Sequence, residues 1–179
     1  MKAAIHHFKL LGSVVFIAFV VLVSCKSNSK EKLLKQIQKA ENEMNDAKVF
    51  DLQKGKELIE VYGVFTETYP NDTLSAFYLF RAGELSMNLQ LSEQAIAFFN
   101  KVRTDYPSFY KAPECLFLKA FVFENQLNNL IEAEIFYKEF IAGYPNHSLT
   151  DDAVASLEYL GKSPEELVRM FQEKNERHQ

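Results

Sequence analysis

The segment 104-TDYPSFY-110 shares its skeleton with 67-ETYPNDT-73 before it and 142-AGYPNHS-148 after it. The pairs Tyr69-Pro70, Tyr106-Pro107 and Tyr144-Pro145 recur 37 and 38 residues apart. Each closes an amphipathic run and opens a turn of small polar residues suited to capping the next helix. Proline cannot continue a helix, and it biases the residue before it away from the helical region. A period of this length marks a helical-repeat solenoid, whose units are each too small to bury their own apolar face. Sustained period-two alternation appears in no segment after the apolar leader, and glycine and proline number only six and five. The chain therefore reads as all-α.

The residues between the prolines resemble the tetratricopeptide repeat (TPR) family. Its unit carries a small residue on the first helix, then an alanine, an aromatic, a small or apolar residue and a proline on and after the second. Counting back from Pro107 places Gly83, Ala95, Phe99 and Val102 on those positions. Counting back from Pro145 places Ala133, Tyr137 and Phe140 there, with Phe121 at the small position. Counting back from Pro70 gives Tyr62 and Phe65, with Leu58 for the alanine and Asp46 for the glycine. Phe121 and Leu58 imply wider helix crossings in their repeats.

Helical patterning starts near Ser29, where Leu33, Leu34, Ile37, Met44 and Ala47 fall close to one face. At the other end, Gly161 is a natural left-handed stop for "TDDAVASLEYL". Ser163, Pro164 and Glu166 then start a new helix as N-cap, first-turn proline and capping-box partner. The expected fold is an all-α, TPR-like solenoid of about eight helices in four antiparallel pairs, the first and last pairs acting as caps. It fills residues 31–174 and ends in a polar tail, 175–179.

Ahead of this domain, Leu10 to Val23 is a run of 14 residues interrupted only by Gly12 and Ser13. A bilayer-crossing helix needs about 20 apolar residues, so the run suits a secretory signal with Lys2 and Lys9 on its basic flank. Leu22-Val23-Ser24-Cys25 resembles a bacterial lipobox. The resemblance implies a signal peptide over 1–24, a lipidated Cys25 and a short tether over 25–30. Three acyl chains would make that anchor effectively permanent, since one alone holds only reversibly. Lys26, rather than an aspartate, follows the cysteine, which by family analogy favours the outer membrane. Ser27 and Asn28 do not match surface-export signals, so a periplasm-facing orientation is expected.

Removing residues 1–24 takes the formal charge from −4 to −6. Such a chain has no electrostatic footprint for nucleic acid. Cys115 is then the only cysteine besides Cys25, so no internal disulfide is available. It lies in the apolar run "CLFLKAFVF" and reads as a small buried hydrophobe, with Lys119, one helical turn on, the candidate cation to activate it. "NHSLTDD" brings His147 near Asp151 and Asp152, and these read as turn and capping residues. With no phosphate loop, paired metal motif or nucleophile elbow in the sequence, no enzyme activity, metal or cofactor is expected.

The aromatics Phe98, Phe99, Phe136, Tyr137 and Phe140 fall on second helices at core spacing. In the TPR family the first helices line a groove, and the resemblance carries its positions onto Phe77, Phe80, Glu84 and Met87, then Cys115, Leu118, Val122 and Asn125. Such a groove takes a partner's helix or extended segment, or is filled by the chain's own N-terminal or C-terminal helices. The repeat style and lipobox together are similar to outer-membrane TPR lipoproteins, among them the one on the β-barrel assembly machine, and to Tol-Pal-associated TPR proteins. The expected function is a non-catalytic protein-binding scaffold, either an outer-membrane protein assembly factor or an envelope adaptor tied to peptidoglycan or division machinery.

Overall fold

The computed structural model describes residues 29–46 and 51–176. The expectations for the leader, for Cys25, for Ala47 and for the end of the tail lie outside these residues. Eight helices are present among them: α1 (29–45), α2 (Leu52–Thr68), α3 (Thr73–Asn88), α4 (Ser92–Asp105), α5 (Ala112–Asn125), α6 (Leu130–Gly143), α7 (Thr150–Tyr159) and α8 (Pro164–Glu176). No strand occurs among the described residues, so the all-α reading holds. The chain forms two compact units that divide within α2, between Val61 and Tyr62.

In the first unit, Ile37, Leu58 and Ile59 are buried, while Leu33, Leu34 and Met44 are half-buried. Asp51 caps α2, its Oδ1 accepting from the backbone N–H groups of Gln53 and Lys54 at 3.0 and 3.2 Å. Asp46 is an exposed turn residue after α1. It is not the small crossing residue that counting from Pro70 suggested.

In the second unit, α3 to α7 pack each against the next in sequence, as a TPR-like solenoid requires. The three Tyr-Pro turns share one hydrogen-bond pattern. The backbone N–H groups of Asp72, Phe109 and His147 donate to the carbonyls of Tyr69, Tyr106 and Tyr144, and those of Ser75, Ala112 and Thr150 donate to Asp72, Phe109 and His147. The hydroxyls of Ser75 and Thr150 also bond the tyrosine carbonyl, at 2.6 and 2.8 Å. Identical turns give each successive pair a similar entry angle, which is what makes the array periodic.

Two cores result. Leu79, Phe80, Ala95, Phe99, Val102, Ala112, Cys115 and Val122 form one across α3, α4 and α5. Leu116, Ala120, Ala133, Tyr137, Phe140 and Ala153 form the other across α5, α6 and α7. Gly83 is where α3 and α4 meet: a Cβ there would lie 2.5 Å from Cε1 of Phe99. In the next pair Ala120, fully buried, takes this role, and Phe121 is 38% exposed. The expected wide crossing at Phe121 is therefore absent. The α3–α4 loop has three residues (89–91) and the α5–α6 loop four (126–129), so counting back from Pro145 shifts every first-helix position by one.

The last pair does not close. Nothing in α8 is buried, and Tyr159 against Phe171, with ring centroids 5.5 Å apart, is the aromatic contact between α7 and α8. Helix α7 has 10 residues where α5 has 14. Counted along each helix, Glu158 stands where α5 has Ala120, and Leu167 where α6 has Ala133. Glu158 is exposed and Leu167 half-buried, and α8 gives α7 little cover. Its start is as expected: Glu166 N–H donates to Ser163 Oγ at 3.2 Å and Ser163 N–H to Glu166 Oε2 at 2.8 Å. Gly161 adopts φ +71°.

Lys119 is 6% exposed, with Nζ donating to Asn100 Oδ1 at 2.8 Å and lying 3.7 Å from the Phe136 ring centroid. Burial, followed by the nearby Arg103, lowers its pKa below 10.5. The folded state thus binds fewer protons than the unfolded state just below pH 10.5, and stability contributed by this site rises with pH there. Lys119→Met is expected to be neutral or stabilising at pH 7 and to flatten that alkaline rise, read by urea unfolding from pH 7 to 10. A destabilised variant with an unchanged pH profile would show the ammonium to be a net support.

Gly83→Ala pits about 1–3 kcal/mol of overpacking against the fixed Phe99 ring against about 1 kcal/mol of helix propensity. It is expected to lower the unfolding midpoint. Gly63→Ala, where a Cβ meets nothing within 4 Å, is expected to raise it.

Candidate protein-binding surface

Helices α3 and α5 each turn one stripe outward. On α3 it runs through Phe77, Arg81, Glu84 and Asn88, and on α5 through Glu114, Leu118, Phe121 and Asn125. The spacing of three and four residues keeps each set on one helix face. Phe77 and Phe121 are each 38% exposed, and Tyr110, in the turn before α5, is 71% exposed. Phe80 holds α3 to the start of α5: its ring lies 6.2 Å from that of Phe109, and Lys111 Nζ sits 5.3 Å above it.

Of the expected groove residues, Phe77, Glu84 and Asn125 lie on these outward stripes and Leu118 is half-buried on one of them. Phe80 and Val122 are not groove residues; both are buried in the first core, as is Cys115, and Met87 packs against it. Phe80 turns inward because a ring at its place on α3 meets Phe99 at 6.2 Å. Val122 and Cys115 were displaced by the one-residue shift in counting across the longer loop. Counting forward from Pro107 gives Glu114, Phe117, Phe121 and Glu124, which recovers Glu114 and Phe121. Tyr110 had no family position and was legible only as an aromatic in a turn.

The charges on this face pair with each other. Arg81 Nη1 meets Glu84 Oε2 at 3.2 Å, and Lys111 Nζ meets Glu114 Oε2 at 2.7 Å. The hydrogen bond that Lys111 donates to Glu114 also raises the lysine's pKa. Such exposed pairs add little stability, but they leave the rings as the main unsatisfied feature. Asn125 Nδ2 donates to the Phe121 carbonyl at 3.1 Å.

The other chemical candidates have structural roles. His147 Nδ1 accepts from Leu149 N–H at 3.2 Å, and its ring rests on Phe140 at 5.3 Å. Asp151 and Asp152 sit in the first turn of α7. Among the described residues no group of three or more His, Cys, Asp or Glu side chains could hold a metal ion. Burial pushes the Cys115 thiol up to about 12, and Lys119 is engaged by Asn100 and Phe136 instead.

Residues 78–108 match the tetratricopeptide repeat family. That stretch contains Gly83, Ala95, Phe99, Val102 and Pro107, of which Ala95, Phe99 and Val102 are buried in the first of the two cores. No curated protein is significantly similar to the chain.

With its pKa near 12, Cys115 carries almost no thiolate at pH 8. In a Cys25→Ser chain it is expected to resist a disulfide reagent until urea unfolds the protein. Rapid labelling of the native protein would show that the first core opens readily.

Proposed function

We propose that the protein is a non-catalytic scaffold that binds other proteins through the outward faces of α3 and α5. The observation that carries this reading is the exposed aromatic set Phe77, Tyr110 and Phe121 on a TPR-like array whose ion pairs are already internally matched. Isolated apolar residues on a surface are ordinary, but three rings on neighbouring elements supply the anchors that interfaces favour. A partner would meet this face mainly with apolar side chains, in helix-in-groove or extended form.

The lipobox supports a further part of the proposal: the protein is anchored through lipid on Cys25 in the outer membrane and faces the periplasm. There it would serve as an assembly factor for outer-membrane β-barrels. Among the described residues no helix is long and apolar enough to cross a membrane. Metabolic labelling with a palmitate analogue tests the anchor. Label that persists in a Cys25→Ser chain would remove this part of the proposal.

The partner is tested by gentle detergent extraction of native membranes, capture of the tagged protein and mass spectrometry. A Phe77→Asp/Phe121→Asp variant runs alongside, since both side chains are part-exposed, whereas Phe80→Glu would bury a charge. Exposed substitutions of this kind cost about 0.5 kcal/mol or less each, so the variant is expected to stay folded by circular dichroism. Stoichiometric recovery of a barrel-assembly component, lost in the variant, is the expected result. Recovery with cell-wall fractions would move the protein to the envelope-adaptor role. Equal recovery with both versions would overturn the stripe as the binding face.

A further inference from the structure

A cleft of about 690 Å³ opens between the first two Tyr-Pro turns, apart from the outward stripes, and is lined by residues 70–73, Ala76 and residues 105–109. We propose that it seats an extended segment of a protein partner by a lysine or arginine side chain. The proposal takes only the class of ligand, protein, from the scaffold reading; the site and its chemistry are separate.

The walls mix apolar and polar groups. Pro70, Ala76, Tyr106, Pro107 and Phe109 are five of the ten lining residues, and the other five are polar or charged. The Tyr106 hydroxyl donates to the Pro70 carbonyl at 2.6 Å, tying one turn to the next. Burial, and then Asp105, raise the pKa of that phenol, so it stays a neutral donor. Phe109 is held between Phe80 and Tyr110, at 6.2 and 4.8 Å between ring centroids. A site already shaped needs no ordering when a ligand arrives.

The charge on this cleft is of one sign. Asp72 and Asp105 line it, and no lysine or arginine does. One oxygen of Asp72 accepts the Leu74 N–H at 3.0 Å, and one oxygen of Asp105 accepts the Thr104 hydroxyl at 3.0 Å. A basic side chain fits this arrangement at both ends. Its methylene stem lies along Pro70, Ala76 and Pro107, and its cationic head meets carboxylates beside the rings of Tyr106 and Phe109. An acidic or purely apolar segment would leave the carboxylates facing an unfavourable neighbour. The third turn lacks the same equipment: Gly143 stands at the place of Asp105, and His147 at that of Phe109. His147 is committed to the Leu149 N–H and to Phe140.

The test uses the full chain in mild detergent and fluorescence anisotropy with an end-blocked, labelled peptide, Ala-Ala-Arg-Ala-Ala, beside its glutamate counterpart. Saturable binding of the arginine peptide alone is expected, weakened about tenfold by Asp105→Asn through loss of one charge-assisted contact. Asp72→Asn, which keeps a capping side chain, is expected to act similarly, and Phe77→Asp to leave binding unchanged. Failure of the arginine peptide to bind, equal binding of the glutamate peptide, or indifference to both aspartate substitutions would overturn the proposal. Free arginine competing as well as the peptide would overturn the segment in favour of a small cation. Sensitivity to Phe77→Asp would place the peptide on the outward stripe instead. The membrane capture with the Phe77/Phe121 variant reads that stripe independently, so the two readings can fail separately.

Discussion

The second unit depends on α5 being buried on two faces. Cys115 and Val122 look toward Phe99 and Val102, while Leu116 and Ala120 look toward Tyr137 and Phe140. Neither α3–α4 nor α5–α6 could hide its apolar side alone, so one helix closes both. This explains why "CLFLKAFVF" is apolar almost all round, a pattern otherwise read as a wholly internal helix. It also explains the position of Lys119. A helix with two buried faces has little room for a charge, and this one reaches Asn100 on α4 and the Phe136 ring on α6. Gln126 adds a second tie between repeats, donating to the Met87 carbonyl and accepting from the Ser92 hydroxyl, each at 2.8 Å.

The tight crossings on either side of α5 follow from side-chain volume. Gly83 against Phe99 and Ala120 near Tyr137 let a large ring fill the space that a Cβ or a longer side chain would occupy. The rings are placed by this contact, and the turns by the tyrosine carbonyls. Between them they fix which face of each first helix is left outward. The binding surface is therefore a by-product of core packing: Phe77 and Phe121 are open because Phe80, Ala120 and Val122 point in.

Much of this was legible in the sequence, and the misses have two physical causes. The Tyr-Pro spacing located three of the turns. Gly83 meets Phe99, while Ala95, Ala133 and Tyr137 are buried and the capping box at Ser163 forms, as their chemistry suggested. First-helix positions in the second repeat were misread because they were counted across a loop. A helix has a fixed pitch, whereas the α5–α6 loop has four residues where the α3–α4 loop has three, although each carries one left-handed residue, Asn128 and Gln90. Counting within an element is reliable; counting through a loop of variable length is not. The groove expectation at Phe80 failed for a different reason. Phe80 and Phe77 are both apolar and three residues apart, and only the partner ring of Phe99 decides which of them is core.

The α7–α8 pair is more open than the pairs before it. Helix α8 carries a polar face, with Glu165, Glu166, Arg169, Glu173 and Lys174 exposed. Yet Val168 and Phe171 are also exposed, at 56% and 46%. A helix of 13 residues with little tertiary cover is marginal in water, because packing rather than propensity supplies most helical stability in proteins. The capping box at Ser163 and Glu166 compensates in part by fixing the first turn locally. The two ends of α8 are thus held by different means, hydrogen bonds at the start and one ring contact on Tyr159 later. It follows that α8 is the element most easily opened, while the two cores that set the binding surface do not depend on it.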